Sequence, residues 1–213
     1  MVADRNTHWL DLYAHRAVTA VSWYQQNPAS SIELIRATRA RTDSSIVDVG
    51  GGASTLVDRL LDEGYRDVTV LDIAEAALAS ARSRLRHRGI HVSWIVADLL
   101  CWQPDRQYQI WHDRAVFHFL TDAADRQRYR SVLHRALTPG GHVIIGTFAA
   151  DGPTHCSGLP TARYSAASLA AEFPGYRVLR QREEQHVTPS QTVQPFTWLV
   201  LVDDTTAVSH IDN

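Results

Sequence analysis

Three aspartates and a run of glycines fall into one pattern. Asp48, Asp72 and Asp98 each close a short apolar run, in Ile46-Val47-Asp48-Val49, Val70-Leu71-Asp72 and Val96-Ala97-Asp98. Gly50-Gly51-Gly52 follows the first run, and Ser54 or Thr55 then stands where a helix would start. Glycines without Cβ atoms let a ligand lie against backbone, and a helix start offers unpaired N–H groups. Asp72 lies 20 residues beyond Gly52, the spacing at which a carboxylate accepts both ribose hydroxyls of an adenosine ligand. The carboxylate of Asp98, or the amide next to it, is placed to read an adenine edge. Each aspartate alone could be a helix cap; three successive strand ends point to a shared ligand, because open α/β sheets bind beyond the carboxyl ends of their strands.

The identity of that ligand follows from what the loop lacks. A nicotinamide dinucleotide needs a third glycine, and counting on from Gly50 and Gly52 gives Thr55. A pyrophosphate also gains nothing from Asp48, an anion just before the loop. A phosphate-free adenosine carrying an ammonium and a sulfonium fits better, and S-adenosylmethionine is such a molecule. A second group of residues lies in Ile110-Trp111-His112-Asp113-Arg114-Ala115-Val116-Phe117-His118-Phe119-Leu120. His112 or His118 could take a proton from an acceptor, with Asp113 beside them, and Arg114 could pair a carboxylate. The alternative is that Asp113 and Arg114 hold the next helix and His118 is a core histidine. His155-Cys156 completes the set of possible metal ligands, but no paired spacing links these residues, so no metal is expected.

Composition narrows the classes. The 213 residues carry 21 basic and 23 acidic side chains, a net charge of −2, so no basic excess argues for nucleic acid. Every basic residue is Arg, which removes Schiff-base, pyridoxal-phosphate and P-loop lysine chemistry. Cys101 and Cys156 make no disulfide framework. No secretory leader and no membrane span are read from the chain, so a cytoplasmic protein is expected.

The elements that must position these groups alternate. Short apolar runs at Ser45–Val49, Asp67–Leu71, His91–Val96, Gln107–Trp111 and His142–Phe148 are separated by helical stretches near 54–63, 74–88 and 122–137. Gly64 and Gly89 stand at helix C-caps, and Thr138-Pro139-Gly140-Gly141 ends the last helix. This rhythm predicts a doubly wound α/β sheet, covered on both faces. Tyr176–Val187 and Gln191–Val202, split by Thr188-Pro189-Ser190, must pair antiparallel, giving seven strands with a C-terminal hairpin. Residues 7–41 read as helices broken at Asn27–Ser31. A single domain is expected: a helical lid (1–43), a cofactor-binding core (44–150), and a substrate-side loop with the hairpin (151–213).

These motifs resemble the class I S-adenosylmethionine-dependent methyltransferases, strongly over residues 44–150. The resemblance rests on Val47–Ser54, Leu71-Asp72-Ile73, Ala97-Asp98-Leu99 and Leu137–His142. It implies that Gly50 and Gly52 pass under the methionine part, with Asp48 and Gly51 in the same loop. It also implies Asp72 on the ribose, Ile73 on the adenine face, and Asp98 with Leu99 at the adenine edge. The product would be S-adenosylhomocysteine. The fourth strand lacks the Asn/Asp-Pro-Pro-Tyr of base and glutamine methyltransferases. It looks instead like small bacterial members, and somewhat like protein-lysine methyltransferases that begin Asp-Lys-Gly. Trp23 and Tyr24 are expected to close the lid over the cofactor, and Arg114 and His155 to meet the acceptor. The expected reaction is in-line methyl transfer to a small-molecule nucleophile. The alternatives are a protein side-chain methyltransferase or a noncatalytic adenosine-ligand or dinucleotide-binding module. No nucleic-acid or membrane partner is expected, and oligomeric state is left open.

Overall fold

A computed structural model describes residues 5–204. Helix α1 (Arg5–His15) and α2 (Ala29–Ala37) precede the sheet, with a single 3-10 turn at Val18–Ala20 and extended or looped chain on to Pro28. Then β1 (Ser45–Val49), α3 (Leu56–Asp62), β2 (Asp67–Asp72), α4 (Glu75–Leu85) and β3 (Val92–Val96) alternate. They are followed by β4 (Tyr108–Arg114), α5 (Ala123–Ala136) and β5 (Leu137–Phe148). A two-residue pair, β6 (His155–Cys156) and β7 (Leu159–Pro160), forms its own small sheet. Helix α6 (Ala166–Ala171) leads into β8 (Tyr176–Val187) and β9 (Val193–Asp203).

The main sheet has the order β3-β2-β1-β4-β5-β9-β8, with β1 to β5 parallel and β9 running antiparallel between β5 and β8. The strand order reverses direction at β1, so the β1–β4 boundary is the switch point where such sheets bind ligands. Every residue of β1 is buried, as a strand covered on both faces requires. Its side chains alternate between two cores. Val47 and Val49 pack with Trp111, Tyr129 and Leu133 on one face; Ile46 packs with Ile35, Leu60, Ile110 and Trp198 on the other.

Three expectations shift. Strand β4 runs to Arg114, beyond the apolar run, because residues 110–114 pair with 142–146 of β5. The Thr138–Gly141 stop signals sit inside β5 as an irregular stretch: Tyr108 pairs with Leu137 and Ile110 with His142, so the intervening residues bulge. Helix α4 ends earlier than Gly89; the left-handed residue after it is Arg86, with φ +52°.

Candidate functional site

The glycine loop is forced by its neighbours. Gly50 and Gly52 take φ +66° and +46°, a region that costs side-chain-bearing residues about 1–2 kcal/mol. A Cβ on Gly50 would stand 2.1 Å from Val116 Cγ2. One on Gly51 would lie 2.5 Å from Asp48 Oδ2 and 2.7 Å from Val70 Cγ1, and one on Gly52 would lie 2.9 Å from Asp72 Oδ2. The loop is therefore pressed between Asp48, Asp72 and the turn after β4.

The strand-end carboxylates are oriented locally. Asp72 Oδ1 accepts from the amide of Ala74 (2.8 Å), and Asp98 Oδ1 from the amide of Leu100 (2.9 Å). Each carboxylate thus bonds backbone two residues on, in an Asx turn. Burial, with the charge of Asp48 adding to it, raises Asp72 from the usual carboxylate range to about 7. Tyr13, from α1, sits against it; burial and the Asp72 charge push its hydroxyl well above the ordinary tyrosine value. Asp48 faces the other way: its Oδ1 is 2.7 Å from His112 Nδ1, whose Nε2 is 2.9 Å from Ser31 Oγ on α2. A carboxylate only accepts, so in the neutral ring the hydrogen lies on Nδ1 and Nε2 accepts the Ser31 hydroxyl.

A cleft of about 1020 Å³, part of it open to solvent, runs along these strand ends. Toward the ends of β2 and β3 it is walled by Leu71, Asp72, Ile73, Asp98 and Leu99, and Gly50 also lines it. Its other end is walled by Trp9, Trp23, Arg114, His118, Phe148 and Phe196. A smaller cavity beside the glycine loop is bordered by Tyr24, Gln25, Ser31, Asp48, Gly51 and His112, and Arg114 borders both. The glycine cradle, the two anchored carboxylates and the apolar Ile73 and Leu99 fit an adenosine. The anion Asp48 by the loop fits a cationic tail. Acceptor carboxylates beside apolar side chains, with an anion at the glycine loop, suit the chemistry of S-adenosylmethionine.

The strand period corrects part of the acceptor-side expectation. Neighbours on β4 point to opposite faces, so His112 and Asp113 cannot act as one pair. His112 is spent on Asp48 and Ser31, beside the smaller cavity. Asp113 is fully buried on the other face, accepting from Tyr129 Oη (2.7 Å), the amide of Val116 (2.9 Å) and that of Phe117 (3.2 Å). Burial raises it to about 6. It locks the turn in which Ala115 takes φ +71°, and so positions Arg114 and Val116. His155 is exposed, its Nδ1 3.1 Å from Thr154 Oγ1. Adjacent residues of a strand face opposite ways, and the neighbouring Cys156 is the one that borders the cleft.

His118 is brought to the cleft, fully buried. The amide of Phe148 donates to its Nδ1 (3.3 Å), so its hydrogen lies on Nε2. Burial, and then the positive charge of Arg114, lower its pKa to about 3. It is a neutral donor rather than a base. Trp23 packs edge-on to Trp9 (5.7 Å between centroids) and to Tyr13 (6.3 Å). Trp9 and Tyr13 were not singled out in the sequence, although their spacing of four on a helix puts both on one face. Gln194 and Phe196 had no local signal; the pairing of β9 with β5 brings them in. Among the described residues no cluster suited to a metal ion is found, and no helix is long and apolar enough to cross a membrane.

Residues 46–141 match the model of a family described as a methyltransferase domain. Nodulation protein S of Rhizobium tropici is 27% identical over 104 residues, covering 49% of this chain and 43% of that protein. The eEF1A lysine and N-terminal methyltransferase of Mus musculus is 26% identical over 151 residues, 67% of this chain and 21% of that protein. The chain thus spans less than half the length of either relative. The structure of the N-methyltransferase NodS from Bradyrhizobium japonicum, in complex with S-adenosylhomocysteine, superposes with a TM-score of 0.70. It is 16% identical and covers 94% of this chain and 99% of that one. These likenesses agree with the sheet order, the glycine cradle and the strand-end carboxylates: residues 46–141 match a methyltransferase-domain model, and the fold is the one seen in the structure of that N-methyltransferase.

Proposed function

We propose that this chain transfers a methyl group from S-adenosylmethionine to a small-molecule nucleophile held at the aromatic end of the cleft. One observation carries the reading: Trp9, Trp23, Phe119, Phe148 and Phe196 wall a single cleft that also reaches Gly50, Asp72 and Asp98. The methyl donor and the acceptor would share one largely apolar space, shaped like a small-molecule site. Gly50, Gly51 and Gly52 would cradle the amino-acid portion with Asp48 behind them. Asp72 would take the ribose hydroxyls, Ile73 and Leu99 the adenine faces, and Asp98 its edge. When bound, S-adenosylmethionine supplies an electrophilic methyl group on a sulfonium.

The chain's own contribution is binding, alignment and exclusion of water. Neither histidine near the cleft is free to act as a base: His112 is committed to Asp48 and Ser31, and His118 stays neutral with its hydrogen on Nε2. Holding two reactants in line can supply roughly 7–11 kcal/mol of a barrier, and the lid residues Trp9, Tyr13 and Trp23 suit that task by closing the cleft. Methylation of a protein side chain is the second reading, supported by the 151-residue similarity to the mouse lysine and N-terminal methyltransferase.

Radiolabelled methyl transfer tests both. The protein is incubated with labelled S-adenosylmethionine and a cell extract, then split by ultrafiltration. Label in a filtrate product that separates chromatographically from S-adenosylmethionine supports the small-molecule reading; label transferred only to retained protein overturns it in favour of the second. Calorimetry with S-adenosylhomocysteine tests the site itself. Asp72→Ala should weaken binding by about 1–3 kcal/mol, and an unchanged affinity removes Asp72 from the site.

A further inference from the structure

Arg114 ends β4 at the junction of the two cavities. Its guanidinium lies over the Phe196 ring, 4.8 Å from the centroid, and Nη1 donates to the backbone carbonyl of Trp23 (3.0 Å). Nε and Nη2 have no acceptor among the described residues and are closed off from bulk water. These two nitrogens form the edge of the guanidinium that presents two parallel N–H donors, the geometry that grips a carboxylate. The same edge is used that way elsewhere in this chain. Arg36 holds Glu63 through Nε and Nη2 at 2.9 and 2.8 Å, Arg41 holds Asp43 at 3.0 and 3.2 Å, and Arg84 holds Asp58 at 3.1 and 2.7 Å.

No carboxylate among the described residues hydrogen-bonds the Nε–Nη2 edge of Arg114. Glu184 is near enough to feel its charge, but its two oxygens accept from Gln25 Nε2 (2.9 Å) and Trp198 Nε1 (2.7 Å). Asp48 Oδ1 is taken by His112. Burial raises the Cys156 thiol, so it stays uncharged. A second donor in the same cleft wall is also unanswered: His118 Nε2 has no acceptor among the described residues. Donor nitrogens closed off from water and left without an acceptor are costly, and Nε and Nη2 of Arg114 share that condition with His118 Nε2.

We infer that the Nε–Nη2 edge of Arg114, with His118 Nε2–H in the same cleft wall, is the site for a carboxylate on the methyl acceptor. The acceptor is then a carboxylate-bearing small molecule, an inference that rests on the small-molecule reading above. Arg114 borders both cavities, but His118 borders the main cleft and not the cavity at the glycine loop, so a group held by the two together lies in the main cleft, on the acceptor side.

Benzoate and its uncharged isostere benzamide test the inference, each titrated by ligand-observed NMR into protein saturated with S-adenosylhomocysteine. Wild type is expected to bind benzoate at least about tenfold more tightly than benzamide. Arg114→Gln should abolish that preference and Arg114→Lys should leave part of it, since the charge remains while the fork is lost. His118→Asn should reduce it less. Affinity for S-adenosylhomocysteine, measured on the same variants, should stay within about threefold of wild type, which also shows that they fold. Equal binding of benzoate and benzamide, or no binding of benzoate, overturns the carboxylate site while leaving the methyltransferase reading intact. A tenfold or greater loss of S-adenosylhomocysteine affinity in Arg114→Gln overturns it differently, assigning the edge to the cofactor's own carboxylate. Wild type that fails to bind S-adenosylhomocysteine refutes the reading beneath both.

Discussion

The two ends of the cleft are built from opposite chemistry. At the adenosine end the polar groups are carboxylates, Asp72 and Asp98, each tethered by an amide two residues further along its own turn. At the acceptor end they are donors, Arg114 and His118, whose settings come from Trp23, Phe196 and Phe148, all distant in sequence. One end offers lone pairs to hydroxyls and an amino edge; the other offers N–H groups to an acceptor. The contrast teaches that the adenosine end is completed by local turns, while the acceptor end exists only once β4, β5 and β9 lie side by side. Mutations should therefore act through different routes at the two ends.

The largest expected effect is a pH dependence at the adenosine end. The folded-state pKa of Asp72, about 7, lies above its ordinary value of 3.8. The folded chain therefore holds a proton there that the unfolded chain has released, and stability falls as pH rises between those values. The shift corresponds to about 4 kcal/mol. Asp72→Asn removes the charge, so in urea unfolding without ligand it should gain on wild type by about that amount between about pH 4 and pH 8. A difference independent of pH breaks the account of Asp72.

Next is the loop joining the two ends. Gly50→Ala places a Cβ 2.1 Å from Val116 Cγ2 at a positive φ. Strain and crowding together should cost about 3 kcal/mol, read from denaturation midpoints, with loss of S-adenosylhomocysteine binding. A well-tolerated alanine would mean that the turn after β4 is not pinned. Smaller again is the support behind the acceptor end. Tyr129→Phe removes the donor to Asp113 Oδ2 and the acceptor of Trp111 Nε1 (2.8 Å). It should destabilise by about 2 kcal/mol and lower methyl transfer more than S-adenosylhomocysteine affinity, because Asp113 holds the turn carrying Arg114 and Val116. Equal losses in both would erase the distinction between the ends.

The smallest expected effect is none at all. Nitrogen shifts of the His118 ring should stay those of a neutral Nε2–H tautomer from about pH 5 to about pH 8. An inflection near the ordinary histidine value would return His118 to the list of bases.

How much of this was legible in the sequence follows the same division. Gly50 to Gly52, Asp72 and Asp98 could be read because their partners lie within a turn or recur at a fixed spacing. His112, Asp113 and Arg114 could be read as a cluster but not sorted, since three successive residues of a strand alternate between faces. The sequence placed the end of β4 at Trp111, where the apolar run stops; pairing with β5 carried it to Arg114. His155 and Cys156 show the same difficulty in miniature, with the polar neighbour turned outward and the thiol inward.

Periodicity, turn residues and glycine placement were enough to specify a doubly wound sheet with an antiparallel close, because those signals act over a few residues. Which donors face the acceptor, which histidine is neutralised by burial, and which arginine edge is left without a carboxylate were decided by the tertiary structure. Those properties depend on desolvation and on contacts between segments as far apart as Trp23 and Phe196, and no local pattern encodes them.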